Sequence, residues 1–289
     1  MKPIVIFFVA LLSCLSDVVY SQNLTPPGLG EKKGSLFLYW GYNRSWFSNS
    51  NLHFNGPDYD FTVYDLKSTD RPTPFGSVYF NPTTFTIPQY NYRLGYFIND
   101  RLAVSGGIDH MKYVIVEDQP TTLSGVISSR ASDTWAGAYL NEPIQLQDDL
   151  LQFEHSDGLN FVSLDFEYLQ PICSAWKDRL AFYWNAGFGG FWMVTKSKVK
   201  VLGDGLDNDF HVVGYSMAGK TGPRIELLGR FFLLSELKGG YASLPSVLVK
   251  NAAPQIGDHN FTFLEWYTAV GVNFRLAGRR KKQDHSLTD

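Results

Sequence analysis

Alternation of apolar and polar residues, repeated over eight long segments, constrains the fold of this chain more than any other feature of the sequence. In one of these segments the alternating residues are Val162-Ser163-Leu164-Asp165-Phe166-Glu167-Tyr168. A period of two is typical of strands with one apolar face, whereas helices space their apolar residues by three and four. The sequence therefore predicts eight strands, at 35–46, 86–98, 101–115, 158–170, 179–195, 209–227, 230–243 and 260–276.

The connections between these strands alternate between short and long. The short connections are Asn99-Asp100, Pro171 to Arg179, and Gly229; the long ones are 47–85, 116–157, 196–208 and 244–259. This pattern and the even strand count are typical of outer-membrane barrels. Several segments exceed the roughly 10 residues that a tilted membrane strand needs, whereas soluble strands average about 5–6.

We therefore predict an all-β fold, an eight-stranded antiparallel transmembrane up-and-down β-barrel with short periplasmic turns and long extracellular loops. Its apolar face would meet lipid and its polar face would line a narrow interior. A secreted β-sandwich or lipocalin-like barrel is the alternative, because periodicity alone does not separate a lipid-facing surface from a packed one.

The polar face carries charges, which we predict to form a structural network inside the barrel. It comprises five basic and six acidic residues, so the charges can pair almost completely, as buried charges must. An ion or proton path along Asp165, Glu167 and Lys220 is the alternative. The predicted members of the network are Arg93, Asp109, Asp165, Glu167, Lys220, Arg224, Glu226, Glu236, Lys238, Glu265 and Arg275.

The N-terminus resembles a secretory signal peptide. Lys2 precedes an apolar run over 4–12, and the small residue Ser21 precedes Gln22. The run is shorter than the roughly 20 residues of a membrane helix. We predict a signal peptide at 1–21, a periplasmic segment at 22–33, the barrel at 34–276 and a polar basic tail at 277–289. Lipoprotein cleavage before Cys14 is the alternative.

Composition excludes several classes of function. The formal net charge is −3, from 25 basic and 28 acidic residues, which gives no reason to expect nucleic acid as a partner. Cys14 and Cys173 are the two cysteines, so neither a disulfide scaffold nor a zinc cluster is expected. The histidines are scattered without metal-ligand spacing. We predict no cofactor, no metal site and no cofactor-binding residue.

One cluster, His155-Ser156-Asp157, suggests chemistry. A histidine base and a serine hydroxyl, with Glu167 further along, are the groups that ester hydrolysis needs. Lipid A deacylases resemble this in carrying a His-x-Ser pair and a Glu on an eight-stranded barrel. Here the pair is adjacent, so the two side chains of a strand would point to opposite faces. We predict no catalytic residue and no enzyme, with an envelope-lipid acyl hydrolase using His155 and Ser156 as an alternative.

Four stretches carry a family resemblance: 89–100 (Gln-Tyr-Asn-Tyr-Arg-Leu-Gly-Tyr-Phe-Ile-Asn-Asp), 109–113 (Asp-His-Met-Lys-Tyr), 155–160 (His-Ser-Asp-Gly-Leu-Asn) and 236–241 (Glu-Leu-Lys-Gly-Gly-Tyr). Through them the chain resembles the small porin-like outer-membrane β-barrels of Gram-negative bacteria, the OmpA, OmpX and OmpW type. The resemblance covers about 34–276. It implies the fold and an outer-membrane location, and no particular activity.

From the sequence we expect a monomeric barrel with a structural or surface-binding role. Its partners would be outer-membrane lipid and a surface ligand, which would contact the aromatic-rich loops 47–85 and 116–157. A narrow channel for small hydrophobic solutes is the alternative within the same fold.

Overall fold

The computed structural model describes residues 31–275 apart from 82, 85–86, 208–209 and 251–254. Nearly all of the described chain is antiparallel β-structure, with one short 3₁₀ turn at Ser77–Tyr79. No helix within these ranges has the length and apolar character needed to cross a bilayer. The predicted signal peptide, the segment 22–30 and the tail 277–289 lie outside the described residues.

Eight long strands form a closed antiparallel ring. The first strand pairs with the last over 13 consecutive positions, from Ser35 opposite Arg275 to Phe47 opposite Phe263. Because both edges of the sheet are paired in this way, the ring has no free edge along the barrel wall. In ring order the strands are β1 (Ser35–Phe47), β5 (Tyr90–Phe97), β6 (Leu102–Ile115), β9 (Leu151–Ala175), β10 (Leu180–Thr195), β13 (His211–Leu227), β14 (Phe231–Lys250) and β15 (Gln255–Arg275).

This ring confirms the predicted eight-stranded barrel, but several strands are longer than predicted. The predicted short turn between Pro171 and Arg179 is present but begins later than predicted, because β9 continues to Ala175. Pro171 pairs with Tyr183 next to a register shift, and a proline is tolerated at such a bulge. The predicted loop 244–259 is also largely strand, since β14 and β15 extend into it.

The long loops contain seven further strands, which the sequence did not predict. Four of them extend the sheet outward from the upper end of β15 in the order β2, β3, β7, β8. We call the folded region beyond the barrel wall the extracellular extension. Its strands are β2 (Ser50–Gly56), β3 (Tyr59–Leu66), β4 (Ser68–Thr69), β7 (Pro120–Ile127), β8 (Gly137–Gln145), β11 (Lys198–Val201) and β12 (Asp204–Asp207).

The outer wall of the ring carries a broad apolar belt. Large side chains there are between 41 and 70 % exposed, as expected for a surface that meets lipid rather than water. The belt includes Leu94, Tyr96, Leu164, Phe166, Trp184, Phe188, Trp192, Met217, Leu237, Leu264, Trp266 and Val270.

On β9 and β15 the polarity of the two faces reverses above this belt. On β9, Val162 points outward below the reversal, whereas Phe161 is buried inside and Asn160 points outward above it. On β15 the same change occurs between Phe263, which is buried inside, and Leu264, which is exposed outside. A wall that is apolar outside suits lipid, and a wall that is apolar inside suits water. The reversal therefore marks the outer boundary of the membrane.

Candidate functional site

The interior of the barrel holds three groups of buried charges, two of them above an apolar cluster near the periplasmic end and the third beside that cluster. The uppermost group is centred on Arg93, which is 1 % exposed. Arg93 donates two hydrogen bonds to Asp109, at 2.9 and 2.7 Å, and one to Asp165 at 2.9 Å. Lys238 also contacts Asp109 and lies 3.6 Å from Glu265. Three carboxylates thus share two cations.

The second group lies deeper in the barrel, around Glu167. The Lys220 ammonium lies 3.0 Å from the Glu167 carboxylate. Asn185 donates to Glu167 at 3.0 Å and also to Glu236, which accepts a further hydrogen bond from the Tyr267 hydroxyl. The amide of Asn185 therefore hydrogen-bonds to both Glu167 and Glu236, and these two carboxylates share a single cation, Lys220.

The third group closes the periplasmic mouth. Glu226 lies 2.7 Å from Arg224 and 2.6 Å from Lys32, and all three residues are buried. Asn273 accepts a hydrogen bond from Arg224 at 2.7 Å. Arg224 also lies over the ring of Phe232, 3.6 Å from its centroid. This group holds the chain that precedes β1 inside the mouth.

The structure places ten of the eleven predicted network residues inside the barrel, and Arg275 outside it. Arg275 ends β15 at the rim, where its side chain is 57 % exposed and lies 3.5 Å from Glu31. The prediction for Arg275 is wrong because the strand leaves the barrel there. Lys32 takes the place of the fifth cation, although the sequence analysis assigned it to the periplasmic segment.

Sequence reasoning also missed the amides that connect the charges. Asn91 donates to Asp109 at 2.8 Å and to Glu265 at 2.7 Å. Asn91 and Asn185 occupy inward positions of strands with clear alternation, so the same pattern that identified the charges contained these two residues. Lys32 precedes the first strand and has no periodic signal.

His155 lies at the upper end of β9, in a buried polar cluster within the apolar core that β9 shares with the extracellular extension. Its Nδ1 lies 2.6 Å from the Ser197 hydroxyl, and its ring stacks on His259 at 5.7 Å between centroids. His259 is in turn 3.3 Å from Ser50, whose hydroxyl is 2.7 Å from that of Tyr113. Both histidines are fully buried.

Burial determines the charge of these two histidines. It lowers the pKa of His155 to about 3, with a smaller contribution from His211, and holds the pKa of His259 well below its usual value. Both rings are therefore neutral at physiological pH. The side chains of Ser156 and Asp157 are outside the described part of the structure. Within the described residues no group of three or more His, Cys, Asp or Glu side chains is arranged to hold a metal.

The extension also presents a polar outer face. On β2 and β3, His53 lies 2.8 Å from Asp60, and Asn55 donates to the same carboxylate at 3.2 Å. On β7 and β8, Ser124 accepts a hydrogen bond from the backbone of Asn141 at 2.8 Å. The opposite face of β2, β3 and β7 is apolar and buried in the core of the extension, whereas β8 has no buried residue on either face. The outer face therefore carries polar groups that are ordered by hydrogen bonds and lie over an apolar core.

Comparisons with known proteins find structural likeness without sequence relatives. No protein-family model matches the chain, and no curated protein matches it. The chain is similar in structure to OprG from Pseudomonas aeruginosa, with 11 % identity, 86 % of this chain and 99 % of OprG covered, and a TM-score of 0.38. It is also similar to Ail of Yersinia pestis, with 12 % identity, coverages of 84 and 99 %, and a TM-score of 0.32. A third similar structure is the N-terminal β-barrel domain of P. aeruginosa OprF, with 12 % identity, coverages of 85 and 100 %, and a TM-score of 0.28.

The geometry of the chain itself defines its class. The ring closes through β1 and β15, the wall carries an apolar belt, and charges are buried inside. Short turns at one end and a large folded extension at the other complete the anatomy of an outer-membrane barrel. The chain is a closed, eight-stranded antiparallel β-barrel with the anatomy of a transmembrane barrel.

Proposed function

We propose that this protein is a closed, monomeric barrel that presents its extracellular extension as a binding surface and does not conduct solutes. The observation that carries the proposal is the contrast between a filled interior and an ordered polar surface above it. The side chains of the interior pack against one another and form ion pairs, whereas the extension presents hydrogen-bonding groups to the outside.

The filling of the interior argues against a channel. Near the periplasmic end, an apolar cluster that includes Phe37, Tyr39, Phe97 and Phe232 occupies the lumen. Above it come the buried charges, and above these a second apolar cluster that reaches into the extension. An eight-stranded barrel is just wide enough for its side chains to fill it. A path for a hydrophobic solute would have to cross the charged layer.

The outer face of the extension favours a polar partner. Its carboxylate, amide, imidazole and hydroxyl groups are already oriented by hydrogen bonds among themselves, so little conformational entropy is lost when a partner binds. Glycan hydroxyls and polar protein surfaces match this set of donors and acceptors. The two loops that the sequence analysis selected, 47–85 and 116–157, supply these strands.

The proposal contains no catalytic step. His155 is sealed inside an aromatic core, and a pKa of about 3 is far below the near-neutral value of an efficient general base. The histidine of the alternative hydrolase therefore has neither access to lipid nor suitable basicity in this conformation.

The test combines a conductance measurement with a binding measurement. The purified barrel is reconstituted in planar bilayers, and a panel of surface glycans is probed with wild type, Asp60→Ala and, as a control at the opposite end of the barrel, Asp178→Ala. We expect no single-channel conductance, and binding that Asp60→Ala reduces while Asp178→Ala does not. Regular conductance steps, acyl release from lipid A, or equal binding by both variants would contradict the proposal.

A further inference from the structure

One part of the loop between β1 and β5 does not join the extension. Residues 71–81, which we call the strap, follow β4 and return along the outside of the barrel. The start of the strap is fixed because β4 pairs with β6, with Thr69 opposite Val114. Next to it, the Asp70 carboxylate accepts hydrogen bonds from the backbone of Ser45, at 3.1 Å, and from Gln89. The strap is thus tied to the tops of the strands on either side of it.

Tyr79 attaches the strap to the outer wall. Its ring packs edge-on against Tyr42 with centroids 4.7 Å apart, and Tyr42 donates a hydrogen bond to the Tyr79 carbonyl at 2.6 Å. The Tyr79 hydroxyl donates back to Thr73 at 2.7 Å, so the strap folds around its own anchor. Asn43, the neighbour of Tyr42 on β1, is buried inside the barrel. Tyr42 therefore belongs to the outer face, and the strap lies against that face.

The strap turns two phenylalanines away from the protein. Phe75 and Phe80 are 80 and 74 % exposed, although their rings lie only 5.8 Å apart and Phe75 also contacts Tyr79. Burying one phenylalanine side chain contributes about 1.5–3 kcal/mol. A tethered segment that presents two of them together implies an apolar phase on that side of the barrel.

The position of the strap identifies this phase. Directly below Tyr42 on the outer wall, Trp40 stacks on Tyr90 at 4.7 Å, and Tyr90 stacks on His110 at 5.2 Å. Below them the apolar belt begins, with Leu94 exposed. Aromatic girdles of this kind mark the lipid headgroup level in membrane barrels. The exposed rings of the strap continue this girdle sideways, away from the wall.

We propose that the strap is an interfacial anchor that inserts Phe75 and Phe80 into the outer leaflet of the membrane, at the boundary between headgroups and acyl chains. The inference goes beyond the binding role proposed above, because it assigns this part of the loop to lipid and leaves β2 and β3 to the partner. The anchor also fixes the depth and tilt of the barrel on the side of β1 and β5.

Site-directed spin labelling tests the proposal. A nitroxide is attached at Phe80→Cys in a background without Cys14 and Cys173, and the protein is reconstituted in phosphatidylcholine vesicles. Val270→Cys, in the middle of the belt at 65 % exposure, gives the lipid reference, and Leu140→Cys, on the edge strand β8 at 85 % exposure, gives the water reference. Collision rates with oxygen and with a water-soluble nickel chelate are compared at the three positions.

We expect the ratio of oxygen to nickel collisions at position 80 to be several-fold higher than at position 140 and to approach that at position 270. A second label at Phe75→Cys should give the same result, and heat-modifiable gel mobility confirms that each variant folds. A ratio at position 80 equal to that at position 140 would overturn the proposal. Spin–spin broadening at position 80 would also overturn it, because a second copy of the chain would then cover the patch.

Discussion

Arg93 shows how a single residue stabilises buried carboxylates inside a membrane barrel. A carboxylate without a partner in this interior would cost several kcal/mol, and Arg93 compensates two of them through three hydrogen bonds. The planar guanidinium reaches both oxygens of Asp109 while its Nε reaches Asp165. A lysine offers no such fork, so the geometry of the group depends on arginine.

Replacing Arg93 with methionine should destabilise the barrel by about 3–5 kcal/mol, because Asp109 and Asp165 would stay buried without their main cation. Urea unfolding in lipid vesicles, followed by tryptophan fluorescence, measures the change. Arg101→Met is the matched control, since Arg101 is exposed at a periplasmic turn and should cost less than about 1 kcal/mol. Equal stability of the two variants would show that the buried pairs contribute little.

At the same scale, the sequence pattern indicated most of the charged residues inside the barrel but not which residues face the lumen at its periplasmic end. Alternation identifies which residues of a strand share a face, so Arg93, Asp109 and Asp165 were accessible to it. It does not show where a strand stops facing the lumen, which is why Arg275 was assigned wrongly. Nor does it show that a residue before the first strand, Lys32, turns into the lumen.

At the scale of the elements, β9 and β15 keep the same two-residue alternation in the membrane and in the extension, but the apolar face changes sides between them. In the membrane the outward side is apolar, and in the extension the inward side is apolar, as on β9 below and above Phe161. The alternation continues through the change, so a search for period two does not detect it. The extension could not be predicted from the sequence for this reason, and because β2 pairs with β15 and β3 pairs with β7, which are distant in sequence.

The apolar core of the extension should hold its strands in place independently of lipid. Phe54 on β2 is fully buried and packs on Phe61 at 5.4 Å between ring centroids. Phe54→Ala should destabilise the extension by about 3–5 kcal/mol. Its neighbour Asn55 is exposed on the other face, so Asn55→Ala serves as the control.

Hydrogen exchange of the β2 and β3 amides measures the effect. We expect faster exchange there in Phe54→Ala, with the protection of the membrane-spanning strands unchanged. If the protection of the whole barrel fell together, the extension and the barrel would form one cooperative unit, which would contradict independent packing.

At the scale of the whole molecule, closure of the ring decides whether the chain can stay in a bilayer at all. Lipid offers no hydrogen bonds, so every backbone group of the wall must be paired, and the pairing of β1 with β15 removes the last free edge. The number of barrel strands was predictable from the sequence, because it follows from local pattern. The pairing of the two ends of the chain follows from the even strand count combined with the tilt that a barrel requires.

The seam between β1 and β15 depends on a glycine. A Cβ atom at Gly41 would overlap the Thr268 carbonyl oxygen and the Ala269 side chain across the seam. Gly41→Val should therefore push the two strands apart, at a cost of about 1–3 kcal/mol, and should slow closure of the ring at this seam. Gly190→Val is the control, since nothing lies within 4 Å of a Cβ at that position. Gel mobility before and after heating, measured during insertion into vesicles, should show an accumulating open form for Gly41→Val and normal closure for Gly190→Val. Normal closure of both variants would mean that the seam tolerates a side chain there, and that closure does not depend on the close approach of Gly41 to β15.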